Sequence, residues 1–234
     1  MNAILLAAGY GTRLLPITKN TPKCLVKINN DNLLNIWIKK LVSAKVNDIL
    51  VNTHYLSDQV ENFLKKNLHT RKIKIFKEKE LLGTAGTLIA NLNFYKKEDG
   101  LLIHADNYCA ENLNFLIDAH KKRPKECLMT MLTFECNDPL SCGIVQVNNK
   151  GIVVNFYEKS NLDKGQIANG AVYILSPEFI EIIKTKYSKA KDFSNEIIKN
   201  FLGRIYTYKT KKYFADMGTP EEYKNIIKQK IKID

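Results

Sequence analysis

The stretch AILLAAGYGTRLLPITKNTPKCLVKI, residues 3–28, decides the fold prediction and most of the functional one. Residues 3–8 are all apolar, which is typical of a strand buried on both faces of a parallel sheet. Gly9-Tyr10-Gly11 follows at once, and glycines beyond a strand end let backbone N–H groups approach phosphate oxygens. Arg13 and Lys23 add two cations suited to phosphate. The stretch therefore predicts a polyphosphate site at the end of a buried strand.

Neither of the two common nucleotide-binding fingerprints fits this loop. Leu14 occupies the position of the third glycine in the dinucleotide-binding motif. The Gly-Lys-Ser/Thr ending of a P-loop is also missing after the required four residues. The two glycines alone are a weak signal, because many strand-to-helix turns contain such a pair.

Composition narrows the classes of function. The 234 residues include 36 Lys and Arg against 24 Asp and Glu, a formal net charge of +12. The lysines are spread along the chain rather than concentrated in a stripe interleaved with aromatic residues, so we expect no nucleic-acid partner. A basic field instead favours encounter with small anionic substrates.

Cysteine usage and apolar runs bear on location. The five cysteines are odd in number and form no Cys-x-x-Cys pair, which argues against a disulfide framework and a structural zinc site. The N-terminal apolar run has no cationic start and reaches Gly9 too early for a secretory signal. No segment approaches the roughly 20 apolar residues of a membrane span. We therefore expect a cytoplasmic protein with no membrane partner.

Apolar strands alternate with helical patterns along the chain, and no linker or repeat interrupts them. The N-terminal part has the order β-α-β-α-β, with a helical stripe over 32–44 that carries Trp37 as a core residue. The other expected elements are strands at 48–54, 73–76, 100–106, 127–134, 171–175 and 204–208, a hairpin over 143–156, and helices from Ser57 to Leu68, 177–186, 194–201 and Pro220 towards Ile231, the last capped by Thr219. The pattern predicts one domain over 1–234 of class α/β, with three α/β/α layers and a Rossmann-like mixed sheet that is mostly parallel.

Two candidate sites follow later strands. Leu82-Gly83-Thr84-Ala85-Gly86 stands at a strand-to-helix junction, where it suits contact with a planar ring or a phosphate. The alternative is an ordinary helix start with Thr84 as the cap. Asp106 ends the strand 100–106, where a carboxylate can hold a cation such as magnesium. The alternative for Asp106 is a cap on the helix that follows.

The C-terminal half supplies further candidates. Lys159 after the hairpin can neutralise a substrate phosphate and Glu158 can accept from sugar hydroxyls, or the two form an exposed ion pair worth little. Asn169-Gly170 opens a strand, and Asp216 precedes a glycine turn. His54 stands alone at a strand end and is assigned no role, because such a histidine is more often structural.

The string Gly-x-Gly-Thr-Arg-Leu-x-Pro-x-Thr-x-x-x-Pro-Lys-x-Leu, residues 9–25, resembles the signature of the sugar-1-phosphate nucleotidyltransferases. The later candidates match the pattern of that family in its own order. The resemblance implies catalytic roles for Arg13, Lys23, Asp106 and Asp216, with both aspartates as Mg²⁺ ligands. It implies nucleotide binding by Leu6, Ala8, Gly9, Gly11, Thr12, Arg13, Lys23, Gly83, Thr84 and Asp106. It implies substrate binding by Glu158, Lys159, Asn169 and Gly170.

The implied reaction is attack by an acceptor phosphate on the α-phosphorus of a nucleoside triphosphate, with pyrophosphate as the leaving group. The segment 82–86 looks most like the base loop of guanylyltransferases for mannose-type or heptose 1-phosphates, which favours GTP and a sugar 1-phosphate. Two positions depart from the family, Ala105 in place of glycine and Lys27 in place of proline. The sequence Leu-Val-Lys-Ile-Asn at 25–29 resembles that of phosphocholine cytidylyltransferases, so a reaction of CTP or UTP with another phosphorylated acceptor remains an alternative. A nucleotide-binding protein without catalysis is the remaining alternative.

Overall fold

The computed structural model describes residues 1–66, 73–159 and 164–229. Its strands are β1 Asn2–Leu6, β2 Lys27–Ile28, β3 Asp31–Asn32, β4 Ile49–Thr53, β5 Ile73–Lys77, β6 Gly100–His104, β7 Asn107–Cys109, β8 Met129–Glu135, β9 Gly143–Val147, β10 Val153–Glu158, β11 Ile167–Leu175, β12 Ile205–Lys209 and β13 Phe214–Asp216. Its α-helices are α1 Leu33–Ser43, α2 Ser57–Lys66, α3 Gly83–Ala90, α4 Leu113–Lys121, α5 Pro177–Lys186 and α6 Pro220–Lys228. Several short 3₁₀ turns connect them, among them Thr12–Leu14 and Lys23–Leu25.

One mixed sheet forms the centre of the molecule. Its order is β10-β9-β11-β6-β1-β4-β5, and β8 pairs with both β11 and β12. The strands β6, β1, β4 and β5 run parallel to one another, as the alternation of strands and helices predicts. Strand β11 instead runs antiparallel to β6, β8 and β9, and β9 and β10 form the predicted hairpin. The sheet therefore has a parallel part from the N-terminal half and a mainly antiparallel part from the C-terminal half, in which β8 and β12 pair in parallel.

Apolar side chains cover both faces of the sheet. Ala3 and Leu5 of β1 belong to one buried cluster, and Ile4 belongs to the cluster on the opposite face. This alternation follows from the two-residue period of a strand. Trp37 of α1 is fully buried in the first cluster, as predicted, and its Nε1–H donates to the carbonyl of Asn107 at 2.9 Å. Helices on both faces confirm the three-layer architecture.

Side-chain caps explain where three of the helices begin. Asn32 accepts from the N–H of Asn35 at the start of α1, and Ser176 does the same for Phe179 at the start of α5. Thr219 caps α6 through the N–H of Glu222, with Pro220 at the first helical position, which confirms that prediction. Across the described ranges, no helix is both long and apolar enough to cross a membrane.

Two predicted boundaries were wrong. Strand β11 begins at Ile167, so Asn169 and Gly170 lie inside the strand rather than before it. The segment predicted as a helix over 194–201 is a π-helical turn at Phe193–Ile197 followed by a 3₁₀ turn at Ile198–Phe201. The predicted helix ends at Leu68 and Ile231 lie outside the described residues.

Candidate functional site

The loop after β1 is folded back by two short turns. Gly11 has φ of 66°, in the left-handed region that favours glycine, and a Cβ there would lie 3.0 Å from Thr18 Cγ2. The Thr18 hydroxyl donates to the Gly11 carbonyl at 2.8 Å, which closes the loop on itself. The returning chain carries Lys23 back towards the glycines, as the charge pattern predicts.

Four predicted residues meet in one charged cluster. Lys23 Nζ lies 2.7 Å from Asp106 Oδ2 and 3.5 Å from Asp216 Oδ1. Arg13 Nη2 lies 3.4 Å from Asp216 Oδ2. Lys23 is 8 % exposed, whereas both carboxylates keep about a third of their surface, at 38 % each. The structure thus brings together residues that are up to 203 positions apart in the chain.

A small two-stranded sheet places the two aspartates. Strands β7 and β13 pair antiparallel, with Asp216 opposite Asn107, the neighbour of Asp106. The cap on α4 is Asn112, which accepts from the N–H of Asn114, so Asp106 is not the helix cap that the sequence left open. Asp106 lies two residues beyond the end of β6, at the carboxyl edge of the parallel strands.

The cluster combines a buried ammonium, that of Lys23, with two partly exposed carboxylates, and this affects their pKa values. Burial lowers the pKa of Lys23, but the carboxylates of Asp106 and Asp216 outweigh it, so the net pKa lies above its ordinary value. Burial alone would raise the pKa of Asp106, yet the Lys23 ammonium brings it down to about 2. At neutral pH the Asp106–Lys23 pair is therefore fully ionised.

One cavity of about 320 Å³ opens beside this cluster. All ten residues predicted for nucleotide binding line it, namely Leu6, Ala8, Gly9, Gly11, Thr12, Arg13, Lys23, Gly83, Thr84 and Asp106. Asp216 contacts the cluster from the neighbouring cavity on the side of β13 and α6. The first loop and the segment 82–86 therefore face a common space, although they come from different strands.

The segment 82–86 is the first turn of α3 rather than a free loop. Gly83 begins the helix, and the Thr84 hydroxyl accepts from the N–H of Phe193 at 2.8 Å. The alternative interpretation was a helix start capped by Thr84. The structure has the helix start, but Thr84 is not its cap. Its hydroxyl ties the start of α3 to the π-helical turn at Phe193–Ile197.

Glu78 is the main cavity residue that the sequence analysis missed. It is 5 % exposed and follows β5 directly. Its Oε1 accepts from Asn52 Nδ2 at 2.8 Å and from the Thr87 hydroxyl at 2.5 Å, and its Oε2 accepts from the N–H of Leu82 at 3.1 Å. Asn52 Oδ1 in turn accepts from the N–H of Ala7 at 2.6 Å. The rule that found Asp106, a carboxylate just past a parallel strand, applies to Glu78 as well.

The predicted substrate residues lie outside that cavity, on the antiparallel part of the sheet. Glu158 ends β10 and is half-buried, and burial raises the pKa of its carboxyl. Lys159 is exposed and has φ of 47°, with its N–H donating to the carbonyl of Cys142 at 3.3 Å. Gly143, the first residue of the hairpin, lies so close to Glu158 that a Cβ would be 2.8 Å from Glu158 Oε2.

Asn169 and Gly170 lie at an irregularity of β11. The Asn169 side chain donates to the Tyr173 hydroxyl at 2.7 Å and accepts from the N–H of Ala171, whose φ is 51°. Gly170 packs against Leu132, where a Cβ would be 2.6 Å from Leu132 Cδ2. Their link to the charged cluster is Asn107, whose Nδ2 donates to the Gly170 carbonyl at 3.1 Å.

The two aspartates fit a hard divalent cation. Asp106 Oδ2 and Asp216 Oδ1 both face Lys23 Nζ, so their carboxylates converge. Carboxylate oxygens are the protein ligands that Mg²⁺ prefers, completed by water and substrate phosphates. Within the described ranges, no group of three or more His, Cys, Asp and Glu side chains converges on one point. A cation held here therefore needs further oxygen ligands from outside the protein.

The model of the nucleotidyl transferase family matches residues 2–232 of this chain. The chain belongs to the nucleotidyl transferase family. Among its relatives in the family is the D-glycero-α-D-manno-heptose 1-phosphate guanylyltransferase of Campylobacter jejuni, 30 % identical over 225 residues that cover 95 % of this chain and 97 % of that protein. The mannose-1-phosphate guanyltransferase of Saccharomyces cerevisiae is 28 % identical over 229 residues, 95 % of this chain and 63 % of that protein. This nucleotidyl transferase thus spans less than two thirds of the mannose enzyme.

A solved structure of the same fold is HddC from Yersinia pseudotuberculosis. It is 26 % identical to this nucleotidyl transferase, with a TM-score of 0.81, and the superposition covers 97 % of this chain and 98 % of that one. The match extends over the parallel and the antiparallel parts of the sheet, which confirms the predicted fold class.

Proposed function

We propose that this nucleotidyl transferase moves a nucleoside monophosphate from a nucleoside triphosphate to a sugar 1-phosphate, releasing pyrophosphate. The observation that carries the proposal is the cluster of Arg13, Lys23, Asp106 and Asp216 at the edge of a cavity lined by a glycine loop. Both reactants are anions, so the barrier consists largely of charge repulsion and positioning. Cations and carboxylates at one point are the groups that such a reaction needs, and no covalent protein intermediate is required.

Each charged group has a distinct task in this proposal. Arg13 and the N–H groups of Gly9, Gly11 and Thr12 bind the β- and γ-phosphates, because these residues line the cavity. Lys23 is buried and rigidly paired, so it is suited to stabilising charge that develops at the α-phosphate. Lys159 is exposed at the end of β10 and binds the phosphate of the incoming acceptor, beside Glu158 for the sugar hydroxyls.

Asp106 and Asp216 are the residues that would hold Mg²⁺, on the strength of their converging carboxylates. When bound, the ion neutralises phosphate charge and orients the reacting oxygens. Lys23 Nζ now lies against both carboxylates, so it screens their mutual repulsion. Its ammonium would act on a phosphate bound beside the same two carboxylates.

Glu78 supports GTP as the nucleotide. Guanine presents two neighbouring donors on one edge, N1–H and the 2-amino group, whereas adenine presents an acceptor at N1. The Glu78 carboxylate can only accept, and its Oε2 receives one internal hydrogen bond against two at Oε1, so acceptor capacity remains at Oε2. A base that presents an acceptor instead of a donor to this buried carboxylate gains no hydrogen bond and is repelled by it, which disfavours that base.

The reaction is tested by pyrophosphate release from a matrix of four nucleoside triphosphates and a dozen phosphorylated acceptors. The acceptors include mannose 1-phosphate, heptose 1-phosphates and phosphocholine. We expect the highest kcat/KM for GTP with a hexose or heptose 1-phosphate. A preference for CTP or UTP with phosphocholine would contradict the proposed substrates, GTP and a sugar 1-phosphate, but not the proposed nucleotidyl transfer. No pyrophosphate release from any pair, with nucleotide still bound, would leave only the non-catalytic alternative.

A further inference from the structure

His54 contacts the loop after β1 and Glu78, but it does not itself line the nucleotide cavity. It follows β4 directly, and its Nδ1 lies 3.0 Å from the carbonyl oxygen of Glu78. Its Nε2 lies 3.3 Å from the hydroxyl of Tyr10, the residue between the two glycines of the first loop. One imidazole ring therefore contacts both the loop after β1, called here the phosphate loop, and the residue proposed to recognise the base.

These two contacts fix the proton on the ring. The Glu78 carbonyl can only accept, so Nδ1 carries the hydrogen and donates it. In the neutral ring Nε2 is then the acceptor, and the Tyr10 hydroxyl is the donor. The hydrogen bonds thus run in one direction, from Tyr10 through His54 to the backbone of Glu78.

Tyr10 and its neighbours tether the phosphate loop to the end of β4. The Tyr10 ring is half-exposed and lies edge-on to His54 at 5.7 Å and to Tyr55 at 5.6 Å between centroids. The Tyr55 hydroxyl lies 3.0 Å and 2.9 Å from the carbonyls of Thr18 and Lys19, on the far side of the same loop. The residues just after β4 therefore hold the loop at its tip and at its return.

We propose that His54 is a positioning residue that couples the order of the phosphate loop to the placement of Glu78. The inference rests on the proposed function, since it takes the loop as the phosphate site and Glu78 as the base contact. A loop held in its binding conformation loses less conformational entropy when the nucleotide arrives. His54 holds both the Tyr10 side chain and the backbone of Glu78 through one rigid ring, so loss of either contact weakens nucleotide binding and leaves acceptor binding unchanged.

The test compares Tyr10→Phe, His54→Asn and the double variant by titration with a non-hydrolysable GTP analogue. Tyr10→Phe removes only the hydroxyl, and His54→Asn keeps a donor near Glu78 but loses the acceptor for Tyr10. Each single variant should raise the Kd by roughly two- to tenfold, the size of one net hydrogen bond, and the double variant should raise it no further. Tyr223→Phe is the matched control, because it too removes one tyrosine hydroxyl that donates a hydrogen bond, in this case to the backbone carbonyl of Lys27 at 2.8 Å.

The outcomes separate the inference from the proposed function. Unchanged Kd in both single variants, or effects that add in the double variant, would overturn the coupling through His54. A rise in the KM of the acceptor equal to the rise in Kd would show a general structural defect and would also overturn it. If the wild-type protein binds no GTP analogue at all, the proposed function itself fails. Thermal melting of every variant checks that each one is folded.

Discussion

The parallel and antiparallel parts of the sheet build their sites in different ways. Strands β1, β5 and β6 contribute to the cavity through their last residues, such as Leu6 and His104, and through the polar residues or loops that follow them. The proposed acceptor residues lie on β10 and β11 themselves, at Glu158 and at Asn169-Gly170. The proposed nucleotide site is thus made mainly by loops and strand ends of a regular parallel scaffold, and the proposed acceptor site by irregular strands.

This difference has a physical consequence for the two substrates. The proposed nucleotide site presents a glycine loop and the two cations Arg13 and Lys23, which suit the triphosphate group that all nucleoside triphosphates share. The Asn169 amide already bonds at both ends, to Tyr173 and to Ala171, so it shapes the strand more than it offers groups to a ligand. We infer that the parallel part carries the chemistry and the antiparallel part carries the choice of acceptor.

The largest effect is expected at the junction of the two parts. Asp106→Asn and Asp216→Asn should each lower kcat by about a thousandfold or more, because each removes a charged ligand from the proposed magnesium site. The measurement is pyrophosphate release over a magnesium titration, with circular dichroism to check the fold. Asp118→Asn is the control, since Asp118 is exposed and pairs only with Lys121 in the described contacts. Full activity of either variant at limiting magnesium would exclude that aspartate as a ligand.

A second effect separates the two cations. Lys23→Ala should lower kcat by roughly a hundredfold, the usual size for one preorganised charge stabiliser. Lys159→Ala should act mainly on the KM of the acceptor, because Lys159 lies on the antiparallel part. Steady-state kinetics with each substrate varied in turn distinguishes them, and Lys121→Ala is the exposed control. Exchanged phenotypes would reverse the assignment of the two parts.

The smallest effect concerns the base. Glu78→Gln replaces an acceptor-only group by an amide that can also donate, so it should lower the preference for GTP over ATP by about tenfold. The amide oxygen can keep the bonds from Asn52 and Thr87 at the Oε1 position, which places the amide nitrogen at the Oε2 position proposed to face the base. The ratio of kcat/KM for the two nucleotides is the quantity to measure, since it cancels general losses. An unchanged ratio would remove Glu78 from base recognition.

Much of the parallel part could be predicted from the sequence. The apolar run at 3–8, the glycines and the two cations predicted a strand, a loop and a charge cluster, and the structure brings Arg13, Lys23 and both aspartates together. The rule that ligands bind beyond the ends of parallel strands also pointed to the segment 82–86 and to Asp106. Glu78 was missed because the sequence analysis assigned no role to the residues between the strand 73–76 and the segment 82–86, and its burial comes with contacts to Asn52 and Thr87.

The antiparallel part could not be predicted in the same detail. A left-handed residue such as Ala171 carries no sequence signal, because alanine rarely adopts that conformation. The bulge between Asn169 and Tyr173 depends on pairing with β8, which is distant in sequence. His54 looked like a lone structural histidine, and only its contacts with Tyr10 and Glu78 give it a testable role.

The division of the sheet between nucleotide and acceptor is tested most directly by hydrogen exchange with each ligand alone. One arm uses a non-hydrolysable GTP analogue, and the other uses the sugar 1-phosphate that turns over best. The account predicts that the nucleotide slows amide exchange at residues 9–14 and 82–87, whereas the acceptor slows it at 156–159 and 167–172. Protection of the first set by the acceptor, or of the second set by the nucleotide, would contradict the account.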